Sequence, residues 1–342
     1  MIIEGRKIGA SERPYFIAEM SNNHNGNLTT AKRIIERAKE CGADAVKLQT
    51  YTADSITINC NREEFVIKSD VWAGRSYYEL YQSISMPLEW HRELFQFARN
   101  IGITIFSSPF DRDSVQLLES LNCPAYKVAS FEASDPVLLK AIAETKKPII
   151  ISTGVSTTKD ILETIAFLQK NGAGECAFLH CISSYPAVVN EMNINALDEV
   201  KKYSEVFGLS DHSLGNIAIS AAVAKGASII EKHFTLDRGD GGADASFSIE
   251  PDELSEAIET ACLVWESLGN SDILNHPRKG INHARSIFVI EDVEKGEPFS
   301  EKNIKIIRPG LGLHPRNYFS ILGKKATVSL SRGTPLSEEH IC

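Results

Sequence analysis

Long apolar stretches are missing from this chain: no run approaches the roughly 18 consecutive residues that would argue for a membrane span. The opening segment, MIIEGRKIGASERPYF, carries charges where a secretory signal needs continuous apolar sequence, so a cytoplasmic location is expected. Positive charge is also in deficit. Lysine plus arginine number 36 against 45 acidic residues, a net charge of −9, which disfavours non-specific attraction to nucleic acid or to an anionic membrane. Any anionic ligand must find its cations in a local cleft. The seven cysteines (Cys41, Cys60, Cys123, Cys176, Cys181, Cys262 and Cys342) are odd in number and lack a CxxC pair, which argues against a disulfide framework or a zinc knuckle. Most are expected as reduced thiols in a core. What is present is a 43% apolar share and 24% charged residues over 342 positions, the balance of a globular protein with room for one large barrel or two ordinary domains.

Apolar runs of strand length recur between segments of helical periodicity. The runs are YFIAEM at 15–20, AVKLQT at 45–50, TIFSSP at 104–109, AYKVAS at 125–130, PIIIST at 148–153, CAFLHC at 176–181, VFGLSD at 206–211 and SIIEKHF at 228–234. Between them lie amphipathic segments such as LTTAKRIIERAKECG and LEWHRELFQFARNIG, which end at glycine, the expected helix stop. Eight such alternations predict an α/β protein built on a (β/α)8 TIM barrel, with a doubly wound open sheet as the rival. CGADAVKLQT and KGASIIEKHF share a weak internal echo, each running from Gly-Ala into an apolar strand with a lysine near its tip. After a helix near 251–267, the polar stretch NSDILNHPRKGINHARS reads as a linker. The expected division is a barrel over 1–269, a linker over 270–284 and a small β-rich module over 285–342, which rests on the barrel or on a second subunit because a domain of that size is marginal alone.

The polar residues cluster at the carboxyl ends of the predicted strands, where barrel enzymes carry their sites. Glu19 ends the first; Lys47 and Gln49 the second; Ser107 and Ser108 the third; Lys127 and Ser130 the fourth; Ser152 and Thr153 the fifth; His180 and Ser183 the sixth; Ser210, Asp211 and His212 the seventh; Glu231 and His233 the eighth. Glu231 and His233 are two apart and share a face, whereas Lys232 points the other way, toward a helix or the rim. Closing the barrel brings His233 toward His212 on one side and Glu19 on the other. Two imidazoles beside a carboxylate suit a divalent metal with open positions, and oxygen-rich surroundings favour manganese, magnesium or cobalt as much as zinc. Each of the remaining histidines has an ordinary structural role as its default. Burying an isolated ammonium is expensive, so inward Lys47 and Lys127 imply a bound anion, with Ser108, Ser130, Ser152 and Ser210 able to donate to its oxygens. The alternative for the serines is that they cap helices.

The motifs FIAEMSNNHNG, GADAVKLQTYTADS, FSSPFD, AYKVASFE, IIISTG, HCISSYP, GLSDHS and EKHFTLD together resemble the sialic acid synthase family, and the tail IEDVEKGEPFSEKNIKIIRPGLGLHP is similar to its antifreeze-like (SAF) domain. Within the family, TYTADSIT, EEFVIKSDVWAGRSYYELYQS, PLEWH, SFEASD and DASFSIEPDE look more like the pseudaminic acid branch than the N-acetylneuraminate branch. The resemblance implies condensation of phosphoenolpyruvate with the open-chain aldehyde of an acetamido sugar, giving a nine-carbon 2-keto acid and phosphate. It implies a metal, manganese first and magnesium or cobalt next, on His212 and His233. By the same resemblance Lys47, Ser108, Lys127, Ser130, Ser152, Ser183 and Ser210 hold phosphoenolpyruvate, and Glu19, Gln49, Arg75, Glu132, Tyr185, Asp244 and Arg308 face the sugar. Glu19, Lys47, Lys127, His212 and His233 are the expected catalytic set. Arg308 would be lent by one subunit to its partner, which implies a domain-swapped homodimer; without the resemblance it reads as a solvated loop arginine.

Two departures from the N-acetylneuraminate pattern, GGADASFS and WAGRSYYELY, flank the sugar end of the site. The second lies in the long connection between strands two and three, which has room for a lid. They point to a sugar with an extra acetamido group and a terminal methyl, for which Trp72, Tyr77 and Tyr78 could form an apolar wall or simply pack in the core. The rival functions are a Schiff-base aldolase using a strand-tip lysine and a non-catalytic carbohydrate-binding protein suggested by the tail alone.

Overall fold

The segment Tyr15–Glu19 (β1) is buried at all five positions. That requires cover on both faces of the sheet, the barrel interior on one side and helices on the other. The computed structural model describes residues 1–68, 73–276 and 279–342. In it β1 is followed by Ala45–Thr50 (β2), Thr104–Pro109 (β3), Tyr126–Val128 (β4), Ile149–Ser152 (β5), Cys176–Cys181 (β6), Phe207–Asp211 (β7) and Ile229–His233 (β8). These eight strands close into a barrel in chain order, every pair parallel, with β8 pairing back onto β1. The eight-strand expectation holds and the open sheet is excluded. The fourth strand is shorter than its apolar run because Ser130–Glu132 turns into a 3-10 helix.

Local chemistry explains the helices between the strands. Leu28–Glu40 starts at Asn27, whose side chain accepts from the backbone N–H groups of Thr29 and Thr30. Trp90–Ile101 buries His91, Leu94, Phe95 and Ala98 on one stripe and stops at Gly102, which takes a φ of +74° that a side chain would resist. Gly208 meets a different need: a Cβ there would overlap the Ile229 carbonyl, so glycine lets β7 and β8 lie flush where the site is built.

The chain divides into two compact units, Met1–Leu268 and Gly269–Cys342. The first holds the barrel, the helix Pro251–Leu268 and a short antiparallel pair, Ile2–Ile3 with Arg6–Lys7. The second pairs Ser286–Val289 with Ile304–Ile307 over a separate core that includes Ile287, Val293, Phe299, Ile304 and Leu336. The stretch 270–284 carries the short turns Ser271–Asn275 and Ile281–His283. All seven cysteines are free thiols, of which Cys41, Cys123 and Cys181 are buried. No helix among the described residues is long and apolar enough to cross a membrane. Trp72, expected in an apolar wall, lies outside the described residues.

Candidate active site

Register brings the first charged cluster together. Glu19 on β1 stands opposite Lys47 on β2 and His233 on β8. Lys47 Nζ lies 2.5 Å from Glu19 Oε2, 3.7 Å from Glu231 Oε1 and 3.2 Å from Ser108 Oγ. Burial pulls this ammonium down, but the two carboxylates outweigh it and its pKa is raised. Burial pushes Glu19 up to about 7 against the pull of Lys47. Glu231 is equally buried, yet Lys127, Lys47 and His212 overcome that burial and hold its carboxyl below the usual range. The two carboxylates around one lysine are thus set apart, Glu19 as the one that titrates near neutrality and Glu231 as the one that stays ionised.

Lys127 is different. Its Nζ donates to Ser152 Oγ at 2.7 Å and to the Val128 carbonyl at 3.0 Å, and among the described residues no carboxylate lies within ion-pair distance. Burial lowers its pKa. The structure separates the two lysines: Lys47 has carboxylates within ion-pair distance, whereas Lys127 has none that close among the described residues and feels Glu231 from further away. Two residues beyond Ser152, side chains close in on Gly154. A Cβ at Gly154 would overlap Ser183 Oγ and come within 2.6 Å of Cys181 Sγ and 2.9 Å of Ser130 Oγ. Ser130 Oγ accepts from the Gly154 N–H at 3.1 Å, and the buried Ser183 hydroxyl has no partner. Ser108, Ser130 and Ser152 do not cap the helices that follow their strands, because Asp111, Asp135 and Thr157 do so, and the helix after Ser210 begins at Asn216.

The imidazoles face each other, His212 and His233 having ring centroids 5.4 Å apart at 71°. His212 Nδ1 donates to the Ile182 carbonyl at 2.8 Å, which leaves the Nε2 lone pair for the interior, where Ser210 Oγ stands 3.5 Å away. His233 Nδ1 is buried without a hydrogen-bond partner, 3.6 Å from Asp244 Oδ2. Burial pushes both rings below the usual imidazole range, so both are neutral and can serve as ligands. Among the described residues no group of three or more His, Cys, Asp or Glu is arranged around one point. A cation on this pair would complete its shell with oxygens from water or substrate, as an open catalytic site requires.

The sugar-side candidates divide. Gln49 Nε2 donates to Glu19 Oε1 at 2.9 Å and to Ser21 Oγ at 3.3 Å, and Ser21 in turn donates to Asp244. Burial raises the pKa of Asp244 and of Glu132, whose Oε2 is buried without a partner. Tyr185 packs 4.4 Å from the His212 ring, and Phe247 lies 5.1 Å from His233. The Arg75 guanidinium donates to the Glu79 carbonyl and to Ser83 Oγ, both on the helix Tyr77–Ile84. Arg308 is exposed on the second unit. The expected aromatic wall is also revised. Tyr78 donates to Asp54 at 3.2 Å, Tyr77 stacks on Tyr81, and the more buried cluster is Tyr51 with Tyr81 and Phe110, at 6.0 and 5.1 Å. Lys232 is buried on the outer face, as strand alternation required.

Sequence reasoning left Glu231, Gly154, Cys181, Ser21 and Phe247 out of the site. Only Glu231 carried a signal, its two-residue spacing from His233.

A model of the family described as NeuB matches residues 34–272, which includes β2 to β8 and both histidines. The chain belongs to the NeuB family. The SAF domain is matched over residues 284–341. A pseudaminic acid synthase from Helicobacter pylori is 42% identical to this NeuB-family chain over 96% of it and 98% of the relative. One from Campylobacter jejuni is 41% identical over 96% of each. A crystal structure of an N-acetylneuraminic acid synthetase from Leptospira borgpetersenii matches with a TM-score of 0.73 at 28% identity, covering 82% of this chain and 92% of that one.

Proposed function

We propose that this NeuB-family chain is a pseudaminic acid synthase. It joins phosphoenolpyruvate to the open-chain aldehyde of 2,4-diacetamido-2,4,6-trideoxy-altrose, giving a nine-carbon 2-keto sugar acid and phosphate. The observation that carries the chemistry is the buried ammonium of Lys127, bonded to the Ser152 hydroxyl with no carboxylate within ion-pair distance among the described residues, in the mouth that also holds two neutral imidazoles. The choice of sugar rests on the names of relatives above 40% identity.

Lys127 with Ser130, Ser152 and Ser183 would receive the phosphate or carboxylate oxygens, and Lys47, Ser108 and Ser210 the remainder. C3 of phosphoenolpyruvate then attacks the aldehyde carbon. Glu19, the carboxyl that titrates near neutrality, would protonate the new alkoxide. Water adds at the electron-poor C2, and the ionised Glu231 can take its proton before the phosphate C–O bond breaks. A divalent metal, manganese first and magnesium or cobalt next, would be held by His212 Nε2 and His233 Nδ1 and would supply Lewis-acid polarisation of the aldehyde.

Gln49, Glu132, Tyr185 and Asp244 would face the sugar hydroxyl and amide groups, and the Tyr51, Tyr81 and Phe110 rings the terminal methyl. Arg308 enters in the same reading from the SAF unit of a partner in a domain-swapped homodimer working in the cytoplasm. The Schiff-base alternative calls for a reducible adduct on Lys47 or Lys127, and none is expected after borohydride treatment with substrate.

The test is to supply phosphoenolpyruvate, manganese and a panel of sugars: the altro diacetamido sugar, its manno isomer and N-acetylmannosamine. Phosphate release and a product of the matching mass are expected with the first. Equal turnover of N-acetylmannosamine would overturn the choice of sugar, and an absence of phosphate release with every member would overturn the reaction.

A further inference from the structure

Outside the barrel interior, a second buried ionic cluster lies back to back with the imidazole pair. Lys232 Nζ sits 2.7 Å from Asp211 Oδ2 and donates to the Ser213 carbonyl at 2.6 Å. Asp211 Oδ1 accepts from the Ser213 backbone N–H at 2.9 Å and from its hydroxyl at 2.6 Å. Lys232 and Asp211 are 3% and 1% exposed and stand directly opposite each other in the β7–β8 register.

The sequence positions give this cluster its meaning. Asp211 and Ser213 flank His212, and Lys232 precedes His233. Because side chains alternate across a strand, Ser210 and Glu231 face inward, Asp211 and Lys232 outward, and the two histidines inward again. β7 ends at Asp211, so His212 is one residue beyond the last ladder pair joining it to β8. On the β6 side the Ala187 N–H holds the His212 carbonyl at 2.9 Å. On the β8 side Lys232 and Asp211 close a ring of bonds through Ser213.

An ordinary stability role explains this poorly, since apolar side chains of similar volume commonly replace a buried ion pair without loss. What an apolar pair lacks is direction. A carboxylate accepting two bonds from Ser213 and an ammonium bonding its carbonyl fix the backbone on both sides of His212 relative to the strand that carries His233.

We propose that the Lys232–Asp211–Ser213 cluster is a positioning device that sets the spacing and facing of the His212 and His233 imidazoles, and with it their affinity for a divalent cation. The affinity clause rests on the metal reading above; the orientation clause does not. None of the three residues touches the reacting atoms in this scheme. They act through the imidazoles, as outer partners of metal ligands do.

The experiment measures Mn2+ binding by electron paramagnetic resonance, and the imidazole 1H–15N spectrum of the metal-free protein, well below the unfolding temperature. Variants are Lys232→Met, Asp211→Leu, the double variant and Ser213→Ala. The wild type is expected to bind Mn2+, and each charge variant to bind it about 10-fold to 100-fold more weakly, with displaced His212 and His233 resonances. The double variant should recover thermal stability relative to the singles without recovering Mn2+ affinity, which separates positioning from packing. Wild-type affinity and unmoved resonances in either single variant, or in the double, would overturn the proposal. If the single variants do not fold, Ser213→Ala decides: it leaves the ion pair intact and removes one bond, so weakened Mn2+ binding supports the proposal and unchanged binding overturns it. If the wild type binds no Mn2+, the metal reading fails, and the orientation claim stands or falls on the resonances alone.

Discussion

The two halves of the barrel mouth solve the cost of burying a cation in opposite ways. On the β8–β1–β2 side, Lys47 is surrounded by the protein's own carboxylates, Glu19 and Glu231. On the β4–β5–β6 side, Lys127 hydrogen-bonds only a hydroxyl and a carbonyl, and Glu231 acts on it from beyond ion-pair distance. A lysine in contact with carboxylates shapes a proton-handling cluster. One without such a contact leaves that place for a bound anion, and that side is where an anionic substrate gains most.

Exchanging each lysine for methionine is the strongest way to break this comparison. Lys47→Met leaves two buried carboxylates facing each other without a cation, and a loss of about 3–5 kcal/mol in unfolding free energy is expected, together with loss of turnover. Lys127→Met removes an ammonium that touches no carboxylate among the described residues, so the denaturation midpoint should fall less than for Lys47→Met. Turnover at low phosphoenolpyruvate should then fall about 30-fold or more, the effect of truncating a buried charged contact worth 2 kcal/mol or above. Chemical denaturation with and without phosphoenolpyruvate measures both. Equal destabilisation by the two variants would erase the contrast.

Gly154→Ala probes only the hydroxyl side. Its methyl group would collide with Ser183 Oγ, Cys181 Sγ and Ser130 Oγ, at a cost of about 1–3 kcal/mol by overpacking, and would displace those hydroxyls, so KM for phosphoenolpyruvate should rise roughly 10-fold or more while Mn2+ binding is unchanged. An unchanged KM would mean that Ser130 and Ser183 do not hold the anion.

The smallest effect concerns acid. Behind β2, His91 bonds Thr50 at 2.8 Å and His24 packs against Trp90. Burial pushes both down to about 4 from an ordinary 6.5. These rings are neutral in the fold and take up protons on unfolding, so stability contributed above pH 6.5 is lost progressively as pH falls toward 4. His91→Gln should flatten that part of the stability profile. A wild-type profile already flat over this window would show that these rings titrate normally.

Much of the architecture was legible in the chain itself. Apolar runs of strand length, helical stripes ending at glycine and polar residues at each strand tip are local signals, repeated eight times, and they led to a barrel with the correct strands. Strand alternation placed Lys232 outside and Glu231 inside with His233. Lys47 could not be judged in this way, because its counter-charges arrive from β1 and β8. Tyr78 was offered by its motif as part of an apolar wall or the core, but its hydroxyl bonds the exposed Asp54, a pairing its own sequence neighbourhood does not show. Gly154 was silent because its role consists of the side chain it lacks, seen only against Ser130, Cys181 and Ser183.

By itself, then, the order of residues determined where strands and helices form, which face each side chain takes and which strand ends carry chemistry, since these follow from periods of two and of 3.6 along a single chain. Only the closed barrel decided which lysine touches carboxylates, which carboxyl titrates near neutrality and how two imidazoles meet. Those outcomes depend on charges and cavities shared by strands far apart in sequence, and burial strengthens such interactions only once the strands have been brought together.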